Sequence, residues 1–445
     1  MTGLTIAPGE ALTEARLGAL LAAHERAMRP KRRLREDYLG LSPVHKGRVA
    51  RGRPNNEAYT ALGRYIVNTA TGYLVGVPPV YVYDDGDAAA RLSEVLDAND
   101  ETTVNYALAE DMAMVGWGMD LVWFDETGAV RLRELDPLDA FLVRTADLAG
   151  EARYGVRLYR EARADGVVVT RGEVYSPKDV QPFSYDGAAR FTGDPQPHHL
   201  DGVPMTEYPN NRFYQGDFEP VRRDIDAYNL ALSCAADDLQ SVANAFLALV
   251  GMGATDEAAI EEANRTRVLL LPEGGAAQFI TKEVADSALQ HHKADLRRDI
   301  LQVAGVPDLS DEFFSGNASG VALRYKLWGL DQLWARKKSY MERSLFRRLR
   351  LIAGALNLKG ARIGEVSRLV TIKWTRNMPQ DVSEKVTAAQ ALSGIASNQT
   401  VYEALEPVTG VTAADEAARV AAEELAPVED VPVRRQRRSD GDEVQ

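Results

Sequence analysis

Between Val221 and Leu249, apolar side chains recur as Val221, Ile225, Tyr228, Leu232, Ala235, Leu239, Val242, Phe246 and Leu249, in alternating steps of four and three. That is a seam of roughly 3.5-residue period kept for about four heptads, which lays one stripe of side chains along a helix. At a rise of about 1.5 Å per residue the helix would run roughly 45 Å, more than one small core covers. The seam therefore calls for a long helical partner. Asp217 reads as its N-cap, and Pro220 falls in the first turn, where a missing N–H costs nothing.

A mate follows in EVADSALQHHKADLRRDILQVA, where Val284, Leu289, Leu296, Ile300 and Val303 sit at helical spacing. Between the two helices the sequence predicts a short acidic helix, TDEAAIEEANRT, a strand RVLLLP, a Gly274-Gly275 turn and a second strand AQFITK. Gly305 and Pro307 then end the second helix. The stretch GVPDLSDEFFSGNASG stays a loop, its Asp308, Asp311 and Glu312 solvated and its Phe313 and Phe314 anchoring the base. A third long helix is predicted from Ser319 to Leu358, with Val321, Leu323, Leu327, Leu330, Leu333, Trp334, Met341, Leu345 and Leu349 on its apolar face.

The first part of the chain reads as helices, LTEARLGALLAAHERAMRPKRRLREDYLG and NEAYTALGRYIVNTATGY, then a strand VYVYDD and a helix over 105–115. From Trp117 the pattern becomes β: MDLVWFD, AVRLREL, AFLVRT, RYGVRLYR, GVVVTRGEVYS and DVQPFSY, separated by turn residues. GDPQPHHLDGVPMTEYPNN reads as a loop. After the third long helix come a strand, LVTIKWTRNMP, a capping-box pair at Asp381 and Glu384, and a second short helix, NQTVYEALEPV. From 413 on, Ala and Glu give way to mixed charge ending in VPVRRQRRSDGDEVQ, read as a disordered tail. The fold class expected is α+β, predominantly α-helical.

Motifs that carry chemistry are mostly absent from the sequence. No G-x-x-x-x-G-K-[ST] is present, so the phosphate cradle of a motor ATPase is missing. No H-E-x-x-H and no cysteine pair offers a zinc site. Neighbours on a helix point about 100° apart, so His291 and His292 cannot chelate one ion alone. His198-His199 lies in the Pro-rich loop. Asp136 and Asp139 in LDPLDAF read as a turn rather than a catalytic pair, and GNASG is not the G-x-S-x-G elbow. Cys234, the single cysteine, lies on an apolar helical face and is read as a small core residue. No enzyme activity, metal or cofactor is expected. A net charge of −13 argues against a general nucleic-acid grip. No apolar run approaches the ~20 residues of a membrane span. The N-terminus lacks the pattern of a secretory signal, so a cytoplasmic fold is expected.

In this order, NNEAYTALGRYIVNTATGYLVGVPPVYV, VPMTEYPNN with DFEPVRRDIDAYNLALSCAADDLQSVANAFLALVG, GVPDLSDEFFSGNASGVALRYKLWGLDQLWARKKSYMERSLFRRL and NMPQDVSEKVTAAQALSGIASNQTVYEAL resemble a portal protein of tailed bacteriophages. The resemblance implies a wing at 1–216, a first stem helix at 217–251, a clip at 252–282 and a second stem helix at 283–304. A tunnel loop at 305–319, a long wing helix with a wing strand at 320–378, a crown at 379–412 and a tail at 413–445 would follow. It implies a ring, a dodecamer by analogy, at one capsid vertex of the virion, assembled in the host cytoplasm. The ring would conduct double-stranded DNA during packaging and ejection. Its partners would be the terminase large subunit, a head-completion or adaptor protein, and the major capsid and scaffolding proteins.

Candidate residues follow from these assignments. The DNA-channel loop would use Asp311, Ser315, Gly316, Asn317, Ala318, Ser319, Gly320, Arg324 and Lys326. The terminase contact would use Asp256, Glu257, Glu261, Glu262 and Arg265. Val221, Ile225, Tyr228, Leu232, Leu239, Val242 and Phe246 would form the stem seam. Two other readings stand beside this one: a monomeric or dimeric head-tail adaptor, and a nucleic-acid-processing enzyme of the head.

Overall fold

Thr13 starts the first helix by accepting a hydrogen bond from the Arg16 amide, and Gly40 ends it in the left-handed conformation that glycine takes without strain. The structure, a computed structural model, describes residues 4–44, 54–83, 86–163, 166–243, 246–250, 276–280, 286–309, 325–377 and 382–425. The chain divides into two units, Met1–Asn377 and Met378–Gln445.

In the first unit, helix α1 (Glu14–Leu39) follows a two-residue strand β1 (Thr5–Ile6). Helices α2 (Leu62–Val75), α3 (Gly86–Ala98) and α4 (Glu101–Val115) come next, with strand β2 (Val80–Tyr83) between the first two. Alternating and continuous apolar runs then give β3 (Trp117–Phe124), β4 (Val130–Leu135), β5 (Ala140–Thr145), β6 (Ala152–Ala162), β7 (Val168–Tyr175), β8 (Asp179–Tyr185), β9 (Ala189–Phe191), β10 (Gln196–Pro197) and β11 (Met205–Pro209). They form a seven-stranded sheet ordered β1-β5-β6-β7-β8-β10, with β9 on β8, and a three-stranded sheet ordered β11-β3-β4. Thus VPMTEYPNN is not all loop. Met205 to Pro209 pairs with β3 because Met205, Thr206 and Tyr208 bury side chains that a solvated loop would expose.

Two cores result. Leu17, Leu20 and Leu21 of α1 lie on Phe141, Val143, Val156, Val174 and Phe183 of the larger sheet. The second core gathers Leu92, Leu108, Met112, Val122 and Leu132 around Met341, Leu345, Leu349 and Ile352 of a 31-residue helix, α7 (Trp328–Leu358). A short helix α8 (Val366–Leu369) and strand β14 (Val370–Lys373) follow, and β14 pairs with β2. Arg348 of α7 is fully buried, donating to Glu101 and, at 2.7 Å, to Asn105. A guanidinium deep in a core is tolerated only with such partners.

The seam region departs from expectation. A 3-10 turn spans Glu219–Val221, and the following helix α5 ends at Ala243, short of the expected 251. Phe246 lies not on the helix but on strand β12 (Phe246–Val250), antiparallel to β13 (Ala276–Ile280) with Phe246 opposite Ile280. Phe-Leu-Ala-Leu-Val suits a strand as well as a helix, and the pairing partner decides. Helix α5 packs with α6 (Asp286–Ala304), the expected mate. The expected acidic helix and the strand RVLLLP lie outside the described residues.

Asp217 is not the cap. Its side chain is buried and bound elsewhere, as described below. Cys234 is exposed, not core. It follows Ile225 by nine residues, which at about 100° per residue puts it on the opposite face of α5.

In the second unit, α9 (Val382–Leu392), α10 (Asn398–Thr409) and α11 (Ala413–Leu425) follow in order. Asp381, half of the expected capping box, lies outside the described residues. The expectation of a tail without structure from 413 is corrected by α11. Thr412 Oγ1 accepts from the Asp415 amide at 3.2 Å, and Asp415 and Glu416 complement the first-turn dipole of an alanine-rich helix. The remainder, 426–445 with its RRQRR run, lies outside the described residues.

Candidate functional site

The chain leaves α6 through Gly305, whose φ of +71° is the left-handed region open to glycine. Gly305 also approaches Gly329 of α7 closely: a Cβ on Gly329 would lie 3.3 Å from the Gly305 carbonyl oxygen. Val306 is buried, and Tyr65 of α2 then grips the next residues from both sides. Its hydroxyl donates to the Pro307 carbonyl at 2.8 Å and accepts from the Leu309 amide at 2.9 Å. Arg297 of α6 holds Asp308 through two bonds, 2.7 and 3.0 Å, a fork geometry that fixes direction as well as distance. Asp308 is therefore tied down rather than merely solvated. The pair raises the pKa of Arg297, mainly through the Asp308 bond, and burial raises that of Tyr65.

On the far side of the loop, Lys326 is exposed and α7 begins at Trp328. Asp331 in its first turn accepts from the Tyr73 hydroxyl at 2.7 Å and pairs with Arg376 at 3.3 Å. Lys337, two turns on, meets Asp217 at 2.5 Å with both side chains buried. Asn210 donates to the other Asp217 oxygen at 2.7 Å, and the Asp217 amide donates to the Ala113 carbonyl. Burial lowers the pKa of Lys337, and Asp217 opposes that. The entry to α5 and the middle of α7 are thus joined by a charge pair buried on both sides.

A third restraint acts along α5 itself. The amides of Asn56, Ala58 and Thr60 donate to Asp237, Ser233 and Asn229 at 2.7, 2.9 and 2.8 Å. Every second residue of one segment meets every fourth residue of the helix, in antiparallel order. The match is metric: two extended residues span about 6.6 Å, and four helical residues about 6.0 Å. Sequence reasoning missed this, although the polar stripe Asn229, Ser233, Asp237 beside the apolar seam is its signal.

The expected site residues divide as follows. Asp311, Ser315, Gly316, Asn317, Ala318, Ser319, Gly320 and Arg324 lie outside the described residues, as do Asp256, Glu257, Glu261, Glu262 and Arg265. Of the seam, Val221, Ile225 and Tyr228 are buried, Leu232 is half-buried, and Leu239 is 68% exposed. Asp136 and Asp139 are engaged by Arg35 and Arg32 of α1. Both ring nitrogens of His198 are used, one toward the Ser176 carbonyl and one accepting from the Leu200 amide. Among the described residues no group of three His, Cys, Asp or Glu side chains could hold a metal ion, and no helix is long and apolar enough to cross a membrane.

Residues 21–427 match the family described as "Phage portal protein, SPP1 Gp6-like". The chain belongs to this family. Portal proteins are structural components of virion particles, and the fold of this member is α+β, mainly helical. No curated protein matches the chain. Among solved structures, the neck of a native GTA particle computed with C12 symmetry is similar at a TM-score of 0.49 and 16% identity, covering 84% of this chain and 92% of that one. A chain of the virion of a native gene transfer agent particle gives 0.48 and 16%, covering 86% and 94%. The neck of an empty GTA particle, computed with C6 symmetry, gives 0.47 and 15%, covering 79% and 90%.

Proposed function

We propose that this portal family member assembles as a ring, of about a dozen copies, at one capsid vertex. Double-stranded DNA would pass through it during packaging and ejection. The observation that carries this reading is the family match over residues 21–427, and the anchored base of the loop gives it a physical form. In it α5 and α6 are the stem, 252–282 the clip, 305–319 the tunnel loop and 379–412 the crown. Apolar side chains left exposed on α5 and α6, Leu230, Leu239 and Val303, supply surface for neighbouring copies.

A chain carrying a net charge of −13 repels phosphates overall, so a duplex slides without a tight hold. The loop from Asp311 to Gly320, with Arg324 and Lys326 behind it, follows the DNA surface, while a terminase supplies the work. Its large subunit docks on the clip at Asp256, Glu257, Glu261, Glu262 and Arg265. A head-completion protein takes the same end later, and capsid and scaffolding proteins meet the ring from outside. Replacing residues 315–319 with a short rigid linker should impair DNA filling and leave rings intact. Normal filling by that variant sinks the role given to the loop.

A further inference from the structure

Helix α7 presents Arg343, Arg347 and Arg350 at steps of four and three, which places them along one helical face. That face, together with Arg144 of β5, Glu207 of β11 and the Arg212 loop, lines a concave cavity of about 440 Å3. Five guanidinium groups there meet one carboxylate, in a chain whose overall charge is negative.

The one carboxylate is already committed. Glu207 accepts from Arg144 at 2.9 Å and from the Tyr214 hydroxyl at 2.8 Å, through the same oxygen. Arg347 donates only to backbone carbonyls, those of Val203 at 3.2 Å and Met205 at 3.5 Å, and its Nε is buried with no hydrogen-bond partner among the described residues. Burial lowers the pKa of Arg347, with Arg144 and Arg350 adding to the effect. Arg212 and Arg343 make no ion pair among the described residues. Like charges held together in a concavity cost free energy unless something of the opposite sign enters.

We propose that this cavity is an anion site that takes a phosphate group. Guanidinium forks converge on it from a helix, a strand and a loop. A phosphate offers several oxygens and up to two negative charges to share among them, where a single carboxylate offers two oxygens and one charge. The phosphate comes either from a nucleic-acid backbone or from a free phosphate in solution. The site does not depend on the ring reading, since every lining residue belongs to one chain.

The test titrates the full-length protein with inorganic phosphate in chloride buffer at constant ionic strength, and in parallel with a short double-stranded oligonucleotide. Arg343→Gln and Arg350→Gln are the informative variants, because both side chains are exposed and their loss leaves the fold in place, which a thermal melt verifies. Each variant should bind phosphate about tenfold more weakly or worse, the usual loss for one charged hydrogen bond. If oligonucleotide binding weakens in step and phosphate competes with it, the source is a nucleic-acid backbone. If only phosphate binding weakens, the source is free phosphate. Absence of phosphate binding by the unsubstituted protein, or equal affinity in the variants, overturns the proposal. So does a variant that changes the assembled mass while phosphate affinity stays the same, which would assign the cavity to a neighbouring copy's carboxylate.

Discussion

The Nζ of Lys337 lies 2.5 Å from Oδ2 of Asp217, and neither side chain reaches solvent. Removing one partner leaves a buried charge with nothing opposite. Lys337→Met should therefore lower unfolding free energy by about 3–5 kcal/mol. The double variant D217N/K337M, which removes both charges and keeps an acceptor for Asn210, should be more stable than K337M alone. Denaturant melts of the parent, D217N, K337M and the double variant check this, and simple additivity of the two single losses would show that the pair is not coupled.

Tyr65 bridges Pro307 and Leu309 at the start of the loop. Tyr65→Phe deletes both bonds and keeps the ring, so the expected loss is about 1–2 kcal/mol. Because the restraint is local, the Leu309 amide should exchange hydrogen faster than amides in α7. An unchanged Leu309 rate would mean that Arg297 and Asp308 alone hold the segment.

Ser233 both donates to the Ala58 carbonyl and accepts from its amide. Ser233→Ala orphans both backbone groups and should cost about 1–3 kcal/mol. Limited proteolysis should then cut within 54–60 faster than in the unsubstituted chain. Asn229→Ala, which orphans only the Thr60 amide, should have the smaller effect.

Asp111 on α4 has its pKa pushed up to about 8, chiefly by burial, with Arg35 pulling it down and Asp136 pushing it up. A carboxyl raised in the folded state stabilises the fold fully only below its unfolded pKa of about 3.9. That contribution declines as pH rises toward 8 and is constant beyond. Asp111→Asn should therefore gain stability over the parent as pH climbs from 4 to about 8, with no further gain at pH 9. Melting temperatures of both proteins across that range would show the divergence, and parallel curves would contradict it.

The sequence made periodic elements legible and left side-chain bargains hidden. The strands β3 to β8 stand out because alternation and turn residues agree over MDLVWFD to DVQPFSY. Helix α3 is hidden from a sequence reading because its first residue, Gly86, completes an Asp85-Gly86 pair that signals a turn. Residues 56–60 read as helix, yet Asn229, Ser233 and Asp237 offer their amides acceptors outside any helix. The heptad seam overran its helix at Phe246 because periodicity does not register a strand partner thirty-odd residues away. Of the candidate site, the loop's base at Gly305 and Pro307 was readable from glycine and proline, but Tyr65 was not. Its role depends on a contact between residues far apart in the chain, and no local pattern marks it.

The mass of the purified full-length protein in solution tests the central claim most directly. One chain weighs 48.8 kDa. A portal ring predicts a closed assembly of roughly a dozen chains, seen as a single annular species by native mass measurement and negative-stain imaging. A species that stays at one or two chains across all accessible concentrations would contradict the ring and favour a small adaptor.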